Sequence, residues 1–305
     1  ENAPLRVALI SCMDDFYEDI QKDMWGQVQG LKPDALFLIG DNVYADRRGG
    51  KKLEEPGLDM VFQRYEETRL ALDLFQQERL IPVFSTWDDH DLGRDNSHRD
   101  TPELMALGEI FRLFFPGEAI GSSYVKGPGV SSRWSVGPYR FHFMDDRSFR
   151  VPKALGEEGN PSGHWGQEQE AWLFEALKEK GQVFHIVANG DQFFGGYSPQ
   201  FESYEADQPK GFRSMLERMR ATGARLIFLS GDRHFLEFQA IEASVLGFPT
   251  FELTSSAIHA IVFPSLWGGF PNPRQIVGVA NTNNFLLLEF RQNANDWIID
   301  TEGHG

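Results

Sequence analysis

The strongest constraint on the fold is a pattern that recurs along the chain: a short apolar run passes straight into a polar, acidic turn. Residues 5–10 deliver Ser11-Cys12-Met13-Asp14, and residues 34–39 end in Gly40-Asp41-Asn42-Val43-Tyr44-Ala45-Asp46. Residues 80–84 lead into Ser85-Thr86-Trp87-Asp88-Asp89-His90-Asp91. Further on, 183–188 end in Asn189-Gly190-Asp191-Gln192, and 225–229 in Ser230-Gly231-Asp232-Arg233-His234. Short apolar runs bounded in this way predict buried strands.

Between these runs lie patterns of helical period at 16–31, 58–77, 101–115, 166–180 and 211–222, with Thr101-Pro102 as a start signal. Residues 47–52, basic and glycine-rich, predict an exposed loop, and 116–137, rich in Gly, Ser and Pro, an irregular excursion or lid. Residues 139–144 alternate and run into Asp145-Asp146-Arg147-Ser148-Phe149-Arg150. Beyond His234 the helical signals stop, and 235–239, 250–254, 284–290 and 297–300 predict strands. Alternating strands and helices followed by a strand-rich end predict a single layered α/β domain over 1–305, with no internal repeat. Acidic residues at strand ends sit where open α/β sheets place their sites.

Charge narrows the function classes. A formal net charge of -16 argues against a basic groove for nucleic acid and against an anionic membrane surface, and suits a protein that neutralises acid with bound cations. The single cysteine, Cys12, allows no intramolecular disulfide. No apolar run reaches the length of about eighteen residues that a transmembrane helix needs. The chain opens Glu1-Asn2-Ala3 without an initiator methionine, which is read as a removed leader and hence as export, periplasmic or extracellular, with the cytoplasm as the alternative.

Four of the strand ends carry Cys12, Asp41, Asp89 with His90, and Asp232 with His234. Several carboxylates cannot share a dry site unless something positive sits among them. A hard cation takes oxygen ligands, and phenolate, imidazole or thiolate can join them on a more acidic metal. Asp41 and Tyr44 stand three apart on one turn, and Asp232 and His234 two apart on one side of an extended segment. Singly, each has a plainer reading: a turn or cap for the Asp, a satisfied ring for the His. Four such ends in one chain favour the metal reading.

These blocks resemble the signatures of the PhoD-like alkaline phosphatases, in the calcineurin-like metallophosphoesterases and related in their site to purple acid phosphatases. The resemblance rests on Gly40 to Asp46, Trp87-Asp88-Asp89-His90-Asp91 and Ser230-Gly231-Asp232-Arg233-His234. Residues 8–12, 145–150, Gln169-Glu170-Ala171-Trp172-Leu173 and Leu253-Thr254-Ser255-Ser256 agree with it, in order from about residue 5 to 290. The resemblance implies a four-layer α/β/β/α sandwich of two mixed sheets between helices, with metals at the strand ends. Many members carry an extra N-terminal β domain, which is not expected within these residues.

Carried over by position, the resemblance implies that Asp41 bridges two metals and that Cys12 and Tyr44 help hold a ferric ion. Asp89 stands where the wider superfamily has a metal-binding Asn, and His90 where it has the catalytic His. Asp232, replacing a more usual His, closes the site with His234, and Asn96 resembles a further ligand. The resemblance implies Fe3+ with Ca2+, with Zn2+ or Mn2+ as the alternative, and oxygen in place of nitrogen hardens the site in keeping with that pair. Asp14, Asp46 and Asp88 read as supporting or solvated residues, and Arg233 stands where the family has a small apolar residue.

The implied activity is metal-dependent phosphoester hydrolysis of a small-molecule substrate, with a hydroxide on the cluster attacking phosphorus in line and no phosphoenzyme. His90 would stabilise the transition state or protonate the leaving oxygen. Arg147 or Arg150 would anchor a phosphate through a forked contact, or else form structural ion pairs. A phospholipase- or nuclease-type phosphodiesterase is the nearer alternative, and a non-catalytic, calcium-stabilised binding protein on the same scaffold the more distant one. Residues 116–137 and 257–284 are the expected pocket walls.

Overall fold

In a strand successive side chains face opposite ways, so a strand buried on both faces must be apolar throughout and must feed two cores. The first strands do this. The computed structural model describes residues 3–125, 129–151, 163–195, 202–264, 272–293 and 296–305. The leader reading at Glu1 and Asn2, and parts 126–128 and 265–271 of the two expected pocket walls, lie outside these residues.

In chain order the elements are β1 (Leu5–Ile10), α1 (Glu18–Leu31), β2 (Ala35–Ile39), β3 (Arg47–Arg48), β4 (Lys51–Lys52), α2 (Leu58–Ala71) and β5 (Val83–Thr86). Next come α3 (Leu104–Phe114), β6 (Ser123–Tyr124), β7 (Ser132–Val136), β8 (Tyr139–Phe143), α4 (Gly166–Leu177) and β9 (Phe184–Ala188). The chain continues with α5 (Tyr204–Asp207), α6 (Pro209–Thr222), β10 (Arg225–Ser230), β11 (Leu236–Ile241), α7 (Ala243–Leu246) and β12 (Thr250–Thr254). It ends with β13 (Gln275–Val279), β14 (Phe285–Gln292) and β15 (Trp297–His304).

These strands form a five-stranded sheet in the order β15-β14-β1-β2-β5 and an eight-stranded sheet in the order β13-β11-β12-β10-β9-β8-β7-β6, with β3-β4 as a separate hairpin. Both sheets are mixed: β1, β2 and β5 run parallel, as do β8, β9, β10 and β12, and antiparallel strands extend one edge of the five-stranded sheet and both edges of the eight-stranded one. Val7 and Leu9 of β1 and Phe37 and Ile39 of β2 face the core between the sheets, where they meet Phe141, Phe143, Ile186 and Leu229. Phe37 sits there with ring centroids 4.8 Å from Phe141 and 4.9 Å from Phe143. The alternate residues Ala8, Ile10, Leu36 and Leu38 face outward onto Trp25 of α1, Tyr65 of α2 and Phe111 of α3. On the far side Val187, Leu226 and Phe228 pack under Leu173 of α4 and Met215 and Met219 of α6. The result is the four-layer α/β/β/α sandwich expected from the resemblance.

The departures from the expected boundaries have local causes. The first helix starts at Glu18, not Phe16, because the Asp14 carboxylate accepts the Phe16 N–H at 3.1 Å and holds that turn outside the helix. The second helix stops at Ala71, and 73–76 tighten into a 3-10 turn. The strand expected from 80 begins at Val83, because Pro82 has no N–H to give the ladder, although its carbonyl accepts from Leu36 N at 2.8 Å. The third helix begins at Leu104, after Glu103 in a left-handed conformation. Residues 116–137 are not wholly irregular, since β6 and β7 extend the large sheet. The loop expected at 47–52 is a hairpin pairing Arg47 with Lys52 and Arg48 with Lys51. The strand-rich end also contains β13, which sequence periodicity does not show.

Candidate metal centre

The parallel strands of both sheets end on one side, so the polar turns after β1, β2, β5 and β10 converge there. Close approach of these turns requires glycine. Gly40, at φ +95°, passes so near the third turn that an added Cβ would stand 2.6 Å from Asp88 Cβ and 3.0 Å from Gly190 Cα. Backbone strain gathers at the same place. Cys12, Asp41, Asn96, Asp232 and His234 all have positive φ, from 51° to 61°. Such conformations cost non-glycine residues of order 1–3 kcal/mol each and concentrate at functional sites.

Asp91 ties the second turn to the third. Its carboxylate accepts the main-chain N–H groups of Asn42 at 3.2 Å, Val43 at 3.0 Å and Asp88 at 2.8 Å. That clamp holds Asp41 and Asp89 in register although 48 residues separate them in sequence.

Ligand-type atoms of Cys12, Asp41 and His234 lie within 4.8 Å of one another, and so do those of Asp41, Asp89 and His90. Asp41 belongs to both groups. Its carboxylate also receives Cys12 Sγ at 3.5 Å and His90 N at 3.3 Å. Tyr44 Oη lies 3.3 Å from His234 Nε2, and the Tyr44 ring stacks on His90 with centroids 4.3 Å apart. Asp232 lies outside both close groups, but its charge acts on Cys12, and Asp89 acts on it in turn. Asp89 accepts His90 N at 2.8 Å and the main-chain N–H of Asn96.

The electrostatics are those of a site built for positive charge. Burial, then the charge of Asp232, pushes the Cys12 thiol up to about 12. Burial, with Cys12, Asp89 and Asp91 nearby, holds Asp41 well above the ordinary carboxylate range. Tyr44 is raised well above its usual value for the same reasons, burial first, then Cys12 and Asp41. Desolvation opposes ionisation of Asp89, but His90, Arg147 and the Asn96 amide outweigh it and leave its pKa lowered. Burial would depress His90, yet Asp89, Asp41 and the hydrogen bond to Asp46 hold it well above the ordinary imidazole value. A thiol, a phenol and carboxylates crowded into a dry pocket are a donor set that a cation relieves, and this set fits hard or borderline metal ions.

Residues that sequence reasoning left in supporting roles, or left out, complete the frame. Asp46 Oδ1 binds His90 Nδ1 at 2.8 Å, which leaves Nε2 as the ring nitrogen free for chemistry. Ser256 Oγ donates to Cys12 Sγ at 3.0 Å and accepts His234 N at 2.9 Å, joining two candidate ligands. Only the Leu253-Thr254-Ser255-Ser256 block of the resemblance pointed toward it.

Three expected site residues are placed differently. Asn96 is exposed and its Nδ2 donates to Asp95 at 3.0 Å, so its contact with the site is its main-chain N–H on Asp89. Arg147, fully buried, is held by Asp88 and by Glu202 at 2.5 Å. Arg150 is held by Asp191 at 3.0 Å and by Asp207 and Glu202, each at 2.5 Å. Both guanidiniums therefore sit in a buried ion-pair network, with Arg147 Nη2 and Arg150 Nη1 enclosed without a hydrogen-bond partner.

Comparison with known proteins agrees with the geometry. A profile of the PhoD-like phosphatases matches residues 127–292, and no curated protein matches the sequence. Among solved structures, one of PhoD aligns over 99% of this chain and 69% of its own, with a TM-score of 0.68 and 16% identity, a likeness of fold. A Staphylococcus aureus protein assigned as a 5'-nucleotidase, solved with alpha-ketoglutarate, aligns over 98% of this chain and 54% of its own at a TM-score of 0.46 and 8% identity. Vacuolar Protein Sorting 29 from Cryptosporidium parvum aligns over 99% of each chain at a TM-score of 0.32 and 11% identity. These last two are too distant to carry an argument. Among the described residues no helix is long and apolar enough to cross a membrane. The profile covers more than half of the 305 residues, so the chain belongs to the PhoD-like phosphatases, a metal-dependent family, and is a phosphoesterase.

Proposed function

We propose that this domain, one catalytic unit over 1–305, hydrolyses small phosphomonoesters or phosphodiesters by direct in-line displacement at phosphorus, with no phosphoenzyme. The observation that carries this reading is Asp41, shared between two sets of close ligand atoms. In the proposed assignment Asp41 would be a ligand common to two ions. Cys12, Tyr44 and His234 would hold one, for which phenolate and thiolate favour Fe3+, and Asp89 and Asp232 would hold the other, for which oxygen donors favour Ca2+. When bound, the ions neutralise charge on the phosphoryl oxygens and make a water acidic enough to serve as nucleophile.

The chain's own residues do the rest. His90 keeps a proton at Nε2, because Asp46 engages Nδ1 and the surrounding carboxylates favour the charged ring. It gives that proton to the leaving oxygen or holds it against developing negative charge. Asn96 serves through its main-chain N–H, which fixes Asp89. Arg147 and Arg150 serve as positioning residues: Arg147 fixes Asp88 beside the ligand Asp89, and both tie Glu202 beneath the site.

The test is hydrolysis of an aryl phosphodiester and an aryl phosphomonoester by purified protein, before and after chelation. Turnover of at least one ester, lost on chelation and regained with added metal, is expected. Asp89→Ala and Asp232→Ala should each lose metal and activity together. Metal-loaded protein that cleaves neither ester would return the scaffold to a binding role.

A further inference from the structure

We propose that Arg47, at the start of the hairpin that follows the Tyr44 turn, is an anion-binding residue that receives phosphoryl oxygens and favours dianionic phosphate ends. The proposal rests on the phosphoesterase reading and adds a substrate-binding group to it.

Arg47 follows the ligand turn directly, and its main-chain N–H donates to Tyr44 O at 3.0 Å. The guanidinium lies over the Tyr44 ring, 5.6 Å from its centroid, and Tyr44 itself touches both His234 and His90. The charge is therefore one side chain away from the candidate metal centre. Most arginines near the site are committed. Arg48 pairs with Glu67, Arg64 with Asp15 and Glu67, and Arg147 and Arg150 with the carboxylates beneath the site. Among the described residues Arg47 makes no such pair. It is half-buried, and its Nε is enclosed without a hydrogen-bond partner.

A partly desolvated guanidinium with unused donors is poised for a ligand that brings its own negative oxygens. The hairpin that carries it is braced from below. Phe16 packs so tightly beneath the tip that a Cβ on Gly50 would stand 2.9 Å from its ring. His234, in contact with Tyr44, is flanked by Phe263, 40% exposed, with ring centroids 5.3 Å apart. A cation and an apolar ring thus both border the Tyr44–His234 pair. That combination suits a phosphate end held at Arg47 while an organic substituent rests against Phe263. A dianionic monoester gains more from the added charge than a monoanionic diester does.

The experiment compares metal-loaded wild type with Arg47→Met, which can still pack on Tyr44 but has no charge, and Arg47→Lys, which keeps charge without the fork. The readouts are calorimetric affinity for inorganic phosphate, kcat/KM for an aryl monoester and an aryl diester, bound metal, and Tm. Arg47→Met should weaken phosphate binding and lower monoester kcat/KM by about tenfold or more, as expected for a charge-assisted contact. The diester should fall less, metal and Tm should hold, and Arg47→Lys should recover part of the loss. Unchanged phosphate affinity in Arg47→Met, or losses that only track lost metal, would overturn the assignment. A wild type that cleaves neither ester yet loses phosphate affinity in Arg47→Met would instead overturn the phosphoesterase reading and keep Arg47.

Discussion

Replacing Asp41 with asparagine should lower kcat/KM by at least about three orders of magnitude, because several kcal/mol of charge stabilisation depends on the ions this residue is proposed to hold. Asp41 is the one side chain common to both groups of close ligand atoms. Asparagine matches its size but offers a neutral amide, so neither ion keeps a charged ligand there. Bound metal should fall with activity, which distinguishes this variant from one that only misplaces substrate. The metal-free Asp41→Asn protein should unfold at the same temperature as metal-free wild type or higher. In wild type the carboxylate form of Asp41 is penalised by burial first and then by the neighbouring Asp89 and Asp91, and a neutral amide escapes both. Lost activity with retained stability is the pattern expected of a site built against the fold's own preference.

His90→Ala should behave differently. We expect kcat to fall by about two to four orders of magnitude, the usual weight of a positioned acid, while bound metal is largely retained. Cys12, Asp41, Tyr44, Asp89, Asp232 and His234 remain to hold the ions. Asp46→Asn should reproduce part of that loss, because Asp46 is the hydrogen-bond partner of His90 Nδ1. It should also move the alkaline limb of the kcat profile to lower pH. The sign follows from the charge: an acidic partner raises the pKa of an imidazolium, so neutralising the partner lets the proton leave sooner. Metal lost from His90→Ala in step with activity would move this residue from proton donor to ligand.

Much of the fold was legible because strands buried on both faces leave unbroken apolar runs, and the glycines and acids that end them punctuate sharply. The runs ending before Gly40 and at Ser230 are of this kind. Cys12, Asp41, Asp89, His90 and His234 could be singled out because each stands within a few residues of such an end. What sequence did not show is what depends on partners from elsewhere in the chain. Arg147 and Arg150 look available in sequence, but Glu202 and Asp207, 55 and 57 residues away, occupy them in the folded protein. The same limit hides the role of Asp46, whose partner His90 is 44 residues distant. Asn96 follows an acidic turn at a spacing that allows ligation, yet its left-handed backbone turns the side chain to solvent. Arg47 sits in a basic, glycine-rich stretch that reads as a loop, and the fold instead pairs it with Lys52 and sets it over Tyr44.

The central claim, that Asp41 joins two ions into one hydrolytic centre, is tested most directly by metal titration. Chelated protein would be reloaded stepwise, with bound metal and ester hydrolysis measured on the same samples. The account predicts negligible turnover in metal-free protein and full turnover only when two ions are bound per chain, with Asp41→Asn binding neither tightly. Full activity in the fully metal-free protein would contradict it.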